Sequence, residues 1–272
     1  MLHHSLTPHA MLASFWGHRQ LIFSLVRREV VGRYRGSVLG LLWSFFNPVF
    51  MLAVYTFVFS VVFKARWSVA NESRSEFALV LFIGLIFFSL FAECLNRAPG
   101  LILGNVNYVK KVVFPLEILP WVVFGSALFH TLVSLIVWLL FSLLVIGLPP
   151  VKILLLPLVF FPLVLLIMGF SWLLASLGVF LRDISQIIVI LTTMLMFLTP
   201  IFYPVTAIPE DYRWYIYVNP LTLIVEQARA LLYFHQPLNW QGLGLLTLIG
   251  LVIAWGGFAC FQKTRKGFAD VL

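Results

Sequence analysis

The chain has 272 residues, of which 62% are hydrophobic and only 10% charged, and its mean hydropathy is +1.03. An average soluble domain carries about 25% charged residues, so the composition excludes a soluble fold and calls for an all-α integral membrane protein, in which helices satisfy their own backbone hydrogen bonds. The ten-residue alternation of a transmembrane barrel is absent, and the net charge of +8 is spread over the ends of apolar runs, as the positive-inside rule requires, not gathered into a face for nucleic acid.

The leader MLHHSLTPHAMLASFWGHRQ lacks a basic start, an apolar core and a small-residue cleavage site, so no removable signal is expected. Its histidines read as solvated, without a metal. In MLASFWGHRQLIFSLVRREVVGRY, Leu12, Phe15, Ile22, Val26 and Val30 fall near one helical face, with Arg19, Arg27 and Arg28 largely off it. The pattern predicts an interfacial helix over about residues 11–35, lying on an anionic leaflet.

Taking about 20 apolar residues as one crossing, six segments follow: Ser37–Phe63, Phe77–Asn96, Glu117–Gly147, Lys152–Leu181, Gln186–Phe202 and Gln241–Gln262. The fifth is short and ends at TPIFYP, where Pro200 and Pro204 oppose a regular helix. With both termini in the cytoplasm, twelve cations fall inside and six outside, including Lys64 and Arg66, accounting for all 18. The inverted topology reverses this bias, so both ends are expected inside.

Between the second and third segments, NRAPGLILGNVNYVKKVVFPLE carries Leu101, Ile102, Val106 and Val109 at helical spacing, ends on Lys110-Lys111 and is stopped by Pro115. A short amphipathic helix over about 98–112 results, either a membrane-surface loop or a docking element for a soluble partner. After the fifth segment, YPVTAIPEDYRWYIYVNPLTLIVEQARALLYFHQPLNW (about 203–240) is too apolar for a loop and too interrupted for a crossing. Tyr203, Tyr212, Trp214, Tyr215 and Trp240 suit headgroup depth. Two helices that enter the outer leaflet and return, broken near Asn219-Pro220, are the expectation. Such backbone is tolerated only against protein or a water-filled cavity, so a cavity is implied.

Chemical motifs are few. No P-loop, H-E-x-x-H or serine elbow occurs. Glu93, Glu117 and Glu226 are the carboxylates closest to segment interiors, and each reads as interfacial or bundle-facing and satisfied by a neighbour. His130, near the middle of the third segment, reads as a hydrogen-bonded packing residue. Cys94 and Cys260 lie far apart in apolar runs and read as buried thiols, with no disulfide or metal framework. The only adjacent carboxylate pair, Glu210-Asp211, is a poor basis for a membrane glycosyltransferase. A proton-driven carrier lacks both mid-segment acids and repeat symmetry.

Four ordered blocks resemble a known family: RRE with RYRGSVLGLLWSFFNPVF, then NYVKKVVFPLEILP, LGVFLRDISQ and YPVTAIPEDYRWYIYVNPLT. Together they are similar to the membrane subunit of type-2 ABC exporters of bacterial polysaccharides, the permeases of O-antigen, wall teichoic acid and capsule. The resemblance spans nearly the whole chain. It implies a single domain of six spans in the inner membrane, an interfacial helix, a coupling helix, re-entrant outer helices and a homodimer. It also implies two copies of a separate ABC ATPase that binds ATP and Mg, this chain holding no cofactor and no metal. The substrate it implies is a glycan on a lipid carrier such as undecaprenyl pyrophosphate.

On the resemblance, Leu101, Asn105, Val106, Tyr108, Lys110 and Lys111 are the coupling residues. Arg33 and Arg35 are candidate contacts for the pyrophosphate, with Tyr34 as a gate cover and Gly36 and Gly40 allowing close helix approach. The plainer alternative makes these arginines topology and headgroup anchors. Tyr55, Phe57 and Phe59 offer rings along which sugars can slide, as do the outer aromatics. A type-2 drug or lipid exporter is the competing reading within the superfamily.

Overall fold

A computed structural model of the chain describes residues 6–62, 74–110, 114–147 and 151–272. His3, His4, Phe63, Lys64, Arg66, Lys111 and Val112, which enter the assignments above, lie outside the described residues. Every regular element among those described is helical. In chain order these are α1 (Pro8–Gly17), α2 (Arg19–Tyr34), α3 (Trp43–Tyr55), α4 (Arg74–Arg97), α5 (Val106–Lys110) and α6 (Leu119–Val145). There follow α7 (Leu156–Phe180), α8 (Ile184–Leu198), α9 (Glu210–Val218), α10 (Pro220–Leu232), α11 (Trp240–Thr264) and α12 (Phe268–Val271).

Five stretches are long and apolar enough to cross a membrane: Gly40–Phe59, Glu76–Gly100, Leu116–Val145, Val151–Phe180 and Trp240–Val271. The fifth segment expected from sequence survives only as α8, Ile184–Leu198. Its 15 residues amount to about 22 Å at 1.5 Å per residue, below the ~30 Å of a hydrocarbon core. Pro200 explains the truncation, since proline removes a helical donor and clashes with the preceding turn.

The long helices pack around α4, whose residues from Phe77 to Ile83 are each 4% exposed or less. Two buried indoles complete the packing with satisfied N–H groups: Trp138 donates to the Leu79 carbonyl at 3.0 Å and Trp172 to the Glu117 carbonyl at 2.9 Å. Helices α7 and α11 cross with backbones in contact. A Cβ on Gly257 would lie 2.0 Å from the Gly169 carbonyl oxygen, and one on Gly169 would lie 2.5 Å from that of Ile253. Lipid is as apolar as leucine, so such close approach supplies much of the attraction between the helices. Gly36 and Gly40 act differently from the close approach expected of them. A Cβ on either meets nothing within 4 Å, and their φ values of 87° and 53° show that they turn the chain between α2 and α3.

One end of the bundle gathers α1, α2, the 98–118 connection and the C-terminus, and is called the basal end here. Its staple is Glu117, which accepts from Arg265 Nη1 at 2.6 Å and from the Ser14 hydroxyl at 3.2 Å. Arg265 also donates to the Phe114 carbonyl at 2.7 Å. The first helical segment is broken at His18, so it does not present the single apolar face expected. Met11, Ile22, Leu25 and Val30 are buried, whereas Leu12 is 63% exposed. Ile22 and Leu25 pack on Ile118 and Val122, and Phe15 lies 4.5 Å from Trp121, which seats both helices on protein.

The 98–110 stretch also departs from one continuous helix. Pro99, Gly100 and Gly104 interrupt it, giving 3-10 turns Ala98–Gly100 and Leu103–Asn105 before α5. Leu101 and Ile102 are buried in the bundle, so Gly104, Asn107 and Lys110 form the open surface. Of the cysteines, Cys94 is buried and Cys260 is partly exposed, a correction to the expectation for the latter.

At the opposite, distal end, Asn219 caps α10: its Oδ1 accepts from the Leu221 N–H at 3.0 Å, Pro220 occupies the first turn, and Nδ2 donates to Thr199 Oγ1 at 2.9 Å. The carbonyls freed where α8 ends are met by Arg229, fully buried at 1% exposure. Its guanidinium donates to Pro200 O at 2.5 Å, Ile201 O at 2.8 Å and Val80 O at 3.0 Å, and pairs with Glu226 at 3.1 Å. One side chain thus ties α10 to the end of α8 and to α4.

Two outcomes follow for the purified protein in detergent. Gly257→Leu forces the α7–α11 contact apart and costs about 3 kcal/mol, read as a fall in the thermal unfolding midpoint, whereas Gly256→Leu, with nothing within 4 Å of the added Cβ, leaves it unchanged. Arg229→Met strands the Pro200 and Ile201 carbonyls and the Glu226 carboxylate, costing roughly 3–5 kcal/mol, and Arg229→Lys recovers only part of this because one ammonium cannot reproduce the planar fork.

Candidate functional site

The joint between α2 and α3 lies over a cavity of about 350 Å³ bounded by α3, α4 and α6. That volume holds several waters at ~30 Å³ each. Arg33, Tyr34 and Tyr55 all reach it, so three of the residues expected to handle substrate share one space. The remaining wall is a mixture of apolar groups with Ser44, Asn47, Ser89, Thr131 and Ser134. Only Arg33 and Glu93 among the lining residues carry formal charge at neutral pH, histidine taken as neutral, and they face each other: Arg33 Nη2 lies 2.5 Å from Glu93 Oε1.

Each group is placed by its helix. Arg33 and Tyr34 close the last turn of α2, where the chain turns outward at Arg35 and Gly36. Glu93 stands one turn before Arg97 on α4, and Arg97 Nη1 lies 3.6 Å from the same Glu93 oxygen. Arg97 Nη2 in turn pairs with Glu29 of α2. Four charges of alternating sign thus join α2 to the basal end of α4, with side chains between 25% and 38% exposed. Burial works against the Arg33 charge, but the hydrogen bond and charge of Glu93 outweigh it and raise its pKa. Burial pushes the Tyr34 phenol above its ordinary value, against the lowering pull of the Arg33 charge. Both groups hold their protons at neutral pH.

Tyr34 bonds to His130 Nδ1 at 3.3 Å, and the rings meet edge to face at 5.8 Å. His130 Nε2 is buried without a hydrogen-bond partner among the described residues. The histidine expected from sequence to be a hydrogen-bonded packing residue is bonded through Tyr34 and also stands in the cavity wall. Glu93 was legible as a satisfied carboxylate, but its partner was not. The i, i+4 spacing of Glu93 and Arg97 was the available signal, and it identifies only the weaker of the two contacts.

The other expected residues are dispersed. Arg35 is exposed outside the cavity, and Phe57 is 60% exposed in the π-helical stretch Thr56–Val62 that follows α3. Phe59 packs on Phe77 and Phe202, with ring centroids 5.9 and 5.6 Å away. Tyr203 donates to the Phe197 carbonyl at 2.8 Å. On α9, Tyr212, Trp214 and Tyr215 are more than half exposed; Tyr212 stacks on Tyr215 with centroids 6.5 Å apart, and Trp214 meets Tyr215 tilted, with centroids 3.6 Å apart. Asn219 and Pro220 form the α10 cap. A second cavity of about 290 Å³ lies beside these helices, with Arg213, Tyr217, Glu226 and Phe234 in its wall.

Along the 98–110 stretch, Tyr108 links the basal surface to α2: its hydroxyl accepts from Arg28 at 3.0 Å, and its ring stacks on Phe114 at 4.3 Å. Asn105 donates to the Leu101 carbonyl at 2.8 Å, Val106 is half-buried and Lys110 is exposed. Displacement of this surface therefore has a direct path into the helix that carries Arg33.

Comparison with known proteins places these features in a family. The chain is similar to the O-antigen export system permease protein RfbA of Myxococcus xanthus, 28% identical over 262 residues, covering 96% of this chain and 98% of that protein. It is similar to two proteins of the same description from Klebsiella pneumoniae, 28% and 27% identical over 254 residues, covering 93% of this chain and 95% of each. Residues 20–233 match the family described as ABC-2 type transporter, a stretch that runs from the first turn of α2 through α10 and holds every lining residue of the first cavity, and the chain belongs to that family.

Proposed function

We propose that this chain is the transmembrane subunit of an ATP-driven exporter that moves a lipid-linked polysaccharide of the O-antigen type across the bacterial inner membrane. Full-length similarity to three O-antigen export permeases carries the reading. The conduit is a homodimer of six-span subunits with both termini in the cytoplasm, α8 being the short fifth span, α1–α2 the interfacial helix and α9–α10 the re-entrant pair. The twelve-to-six distribution of cations supports that orientation. The apolar outer faces of α3 and α8, with Phe50 and Met194 more than half exposed, support a second copy alongside.

The chain performs no bond chemistry. ATP and Mg belong to a separate ABC ATPase, two copies per complex, which docks on the basal surface around Gly104, Asn107 and Lys110. The absence of a P-loop in the sequence supports that division. Arg33 at the cavity mouth contacts the phosphates of the lipid carrier, a charge-assisted and potentially bidentate interaction, and Arg35 attracts the headgroup from outside. Stacked aromatics at the distal end receive the sugars, which ring faces hold without fixed registry.

In membranes containing the permease and its cognate ATPase, Arg33→Gln and Arg35→Gln are each expected to lower export of lipid-linked glycan about tenfold or more, the loss of one charge-assisted hydrogen bond, with insertion and complex assembly intact. Normal export in both variants removes the phosphate role. Nucleotide turnover by the permease alone, without the ATPase, overturns the function itself.

A further inference from the structure

Glu93 occupies the place that the proposed function gives to a substrate phosphate. Its carboxylate sits on Arg33 at 2.5 Å, inside the cavity wall, and cancels the one formal cation there. An arginine already paired in this way does not offer a free site, so an arriving anion must compete with Glu93. The pair is partly open to solvent, and pairs of that kind are weak enough to be exchanged.

A displaced Glu93 has somewhere to go. Arg97 Nη1 is 3.6 Å away, already within ion-pair range, yet it is buried and has no hydrogen-bond partner among the described residues. An unmet buried donor is costly, and a small shift of the Glu93 carboxylate satisfies it. A second position for the same carboxylate, on Arg97 instead of Arg33, is thereby within reach. Arg97 also holds Glu29 of α2, and α2 holds Tyr108 of the basal surface through Arg28. An exchange at Glu93 is felt where the ATPase docks, through a chain of contacts with a two-state member.

The geometry points to Glu93 as an electrostatic latch: it occupies Arg33 until a phosphate-bearing lipid end displaces it, and its transfer to Arg97 signals occupancy of the cavity to the basal surface. Tyr34, and His130 with its unpartnered Nε2, supply further polar contacts to the arriving phosphate. The inference rests on the reading of Arg33 as a phosphate contact.

The test uses the permease–ATPase complex in zwitterionic nanodiscs, titrated with farnesyl pyrophosphate and read as equilibrium binding. Glu93→Gln removes the competing anion and is expected to tighten binding about tenfold, the equivalent of one modest ion pair. Arg97→Gln removes the alternative position and is expected to weaken binding several-fold, while Arg33→Gln abolishes it. Binding by Glu93→Gln that is unchanged or weaker than wild type, in a complex of normal thermal stability, overturns the latch while leaving the phosphate site standing. If Glu93→Gln fails to assemble, Arg97→Gln decides, and wild-type affinity there overturns the latch. Wild-type affinity in Arg33→Gln overturns the phosphate site itself. Nanodiscs containing phosphatidylglycerol separate the two sources of phosphate: displacement of farnesyl pyrophosphate by that lipid assigns the site to bulk headgroups and overturns a substrate-operated latch.

Discussion

A carboxylate carried into an apolar bundle must find a cation or lose its charge, because hydrocarbon offers nothing else to solvate it, and the architecture of this chain follows from how that demand is met. Glu93 is met by Arg33, Glu117 by Arg265 and Glu226 by Arg229. The first two pairs join separate parts, α4 to α2 and the approach to α6 to the C-terminus, whereas Glu226 shares α10 with Arg229, whose bonds to the Pro200 and Ile201 carbonyls tie α10 to the end of α8. Such pairs add little net stability against well-packed apolar residues. Their contribution is to specify one arrangement among many that lipid would otherwise permit.

The three pairs differ in what they allow. Arg229 is buried and bonded to three carbonyls besides Glu226, so it is a fixed cap for interrupted backbone. Arg265 with Glu117, Ser14 and Phe114 is a staple of the basal end. Of the three pairs, only Arg33–Glu93 has both members in a cavity wall, with a neighbour of each sign, Glu29 and Arg97. The other two pairs hold the bundle independently of it.

Much of this was legible in the residues. Helical crossings could be read from the length of apolar runs, the break at the end of α8 from Pro200, and the turn into α10 from Asn219-Pro220, because each depends on local covalent chemistry. A cavity was foreseen only for the 203–240 helices, from backbone that could not be left in lipid, and not for the α2–α3 joint. His130 was legible as a hydrogen-bonded packing residue, but its partner Tyr34 is 96 residues away, and no local pattern encodes a contact between the ends of separate helices. The single amphipathic face over 11–35 failed for a related reason. The kink at His18 rotates one half of the face relative to the other, and a periodicity count assumes a straight rod. Leu101 entered as a coupling residue on the resemblance, whereas its side chain is buried in the bundle, because Pro99, Gly100 and Gly104 break the single amphipathic helix that the spacing suggests.

The shortness of α8 bears on the membrane as well as on the protein. About 22 Å of apolar helix beside longer neighbours leaves a step in the apolar belt, and wherever lipid and not a second copy meets that step the bilayer must thin locally. Deforming lipid in this way carries a modest cost for each ångström of mismatch. The acyl-chain length of the host membrane thereby becomes a parameter of the transporter, acting on the helix whose C-terminal carbonyls Arg229 covers.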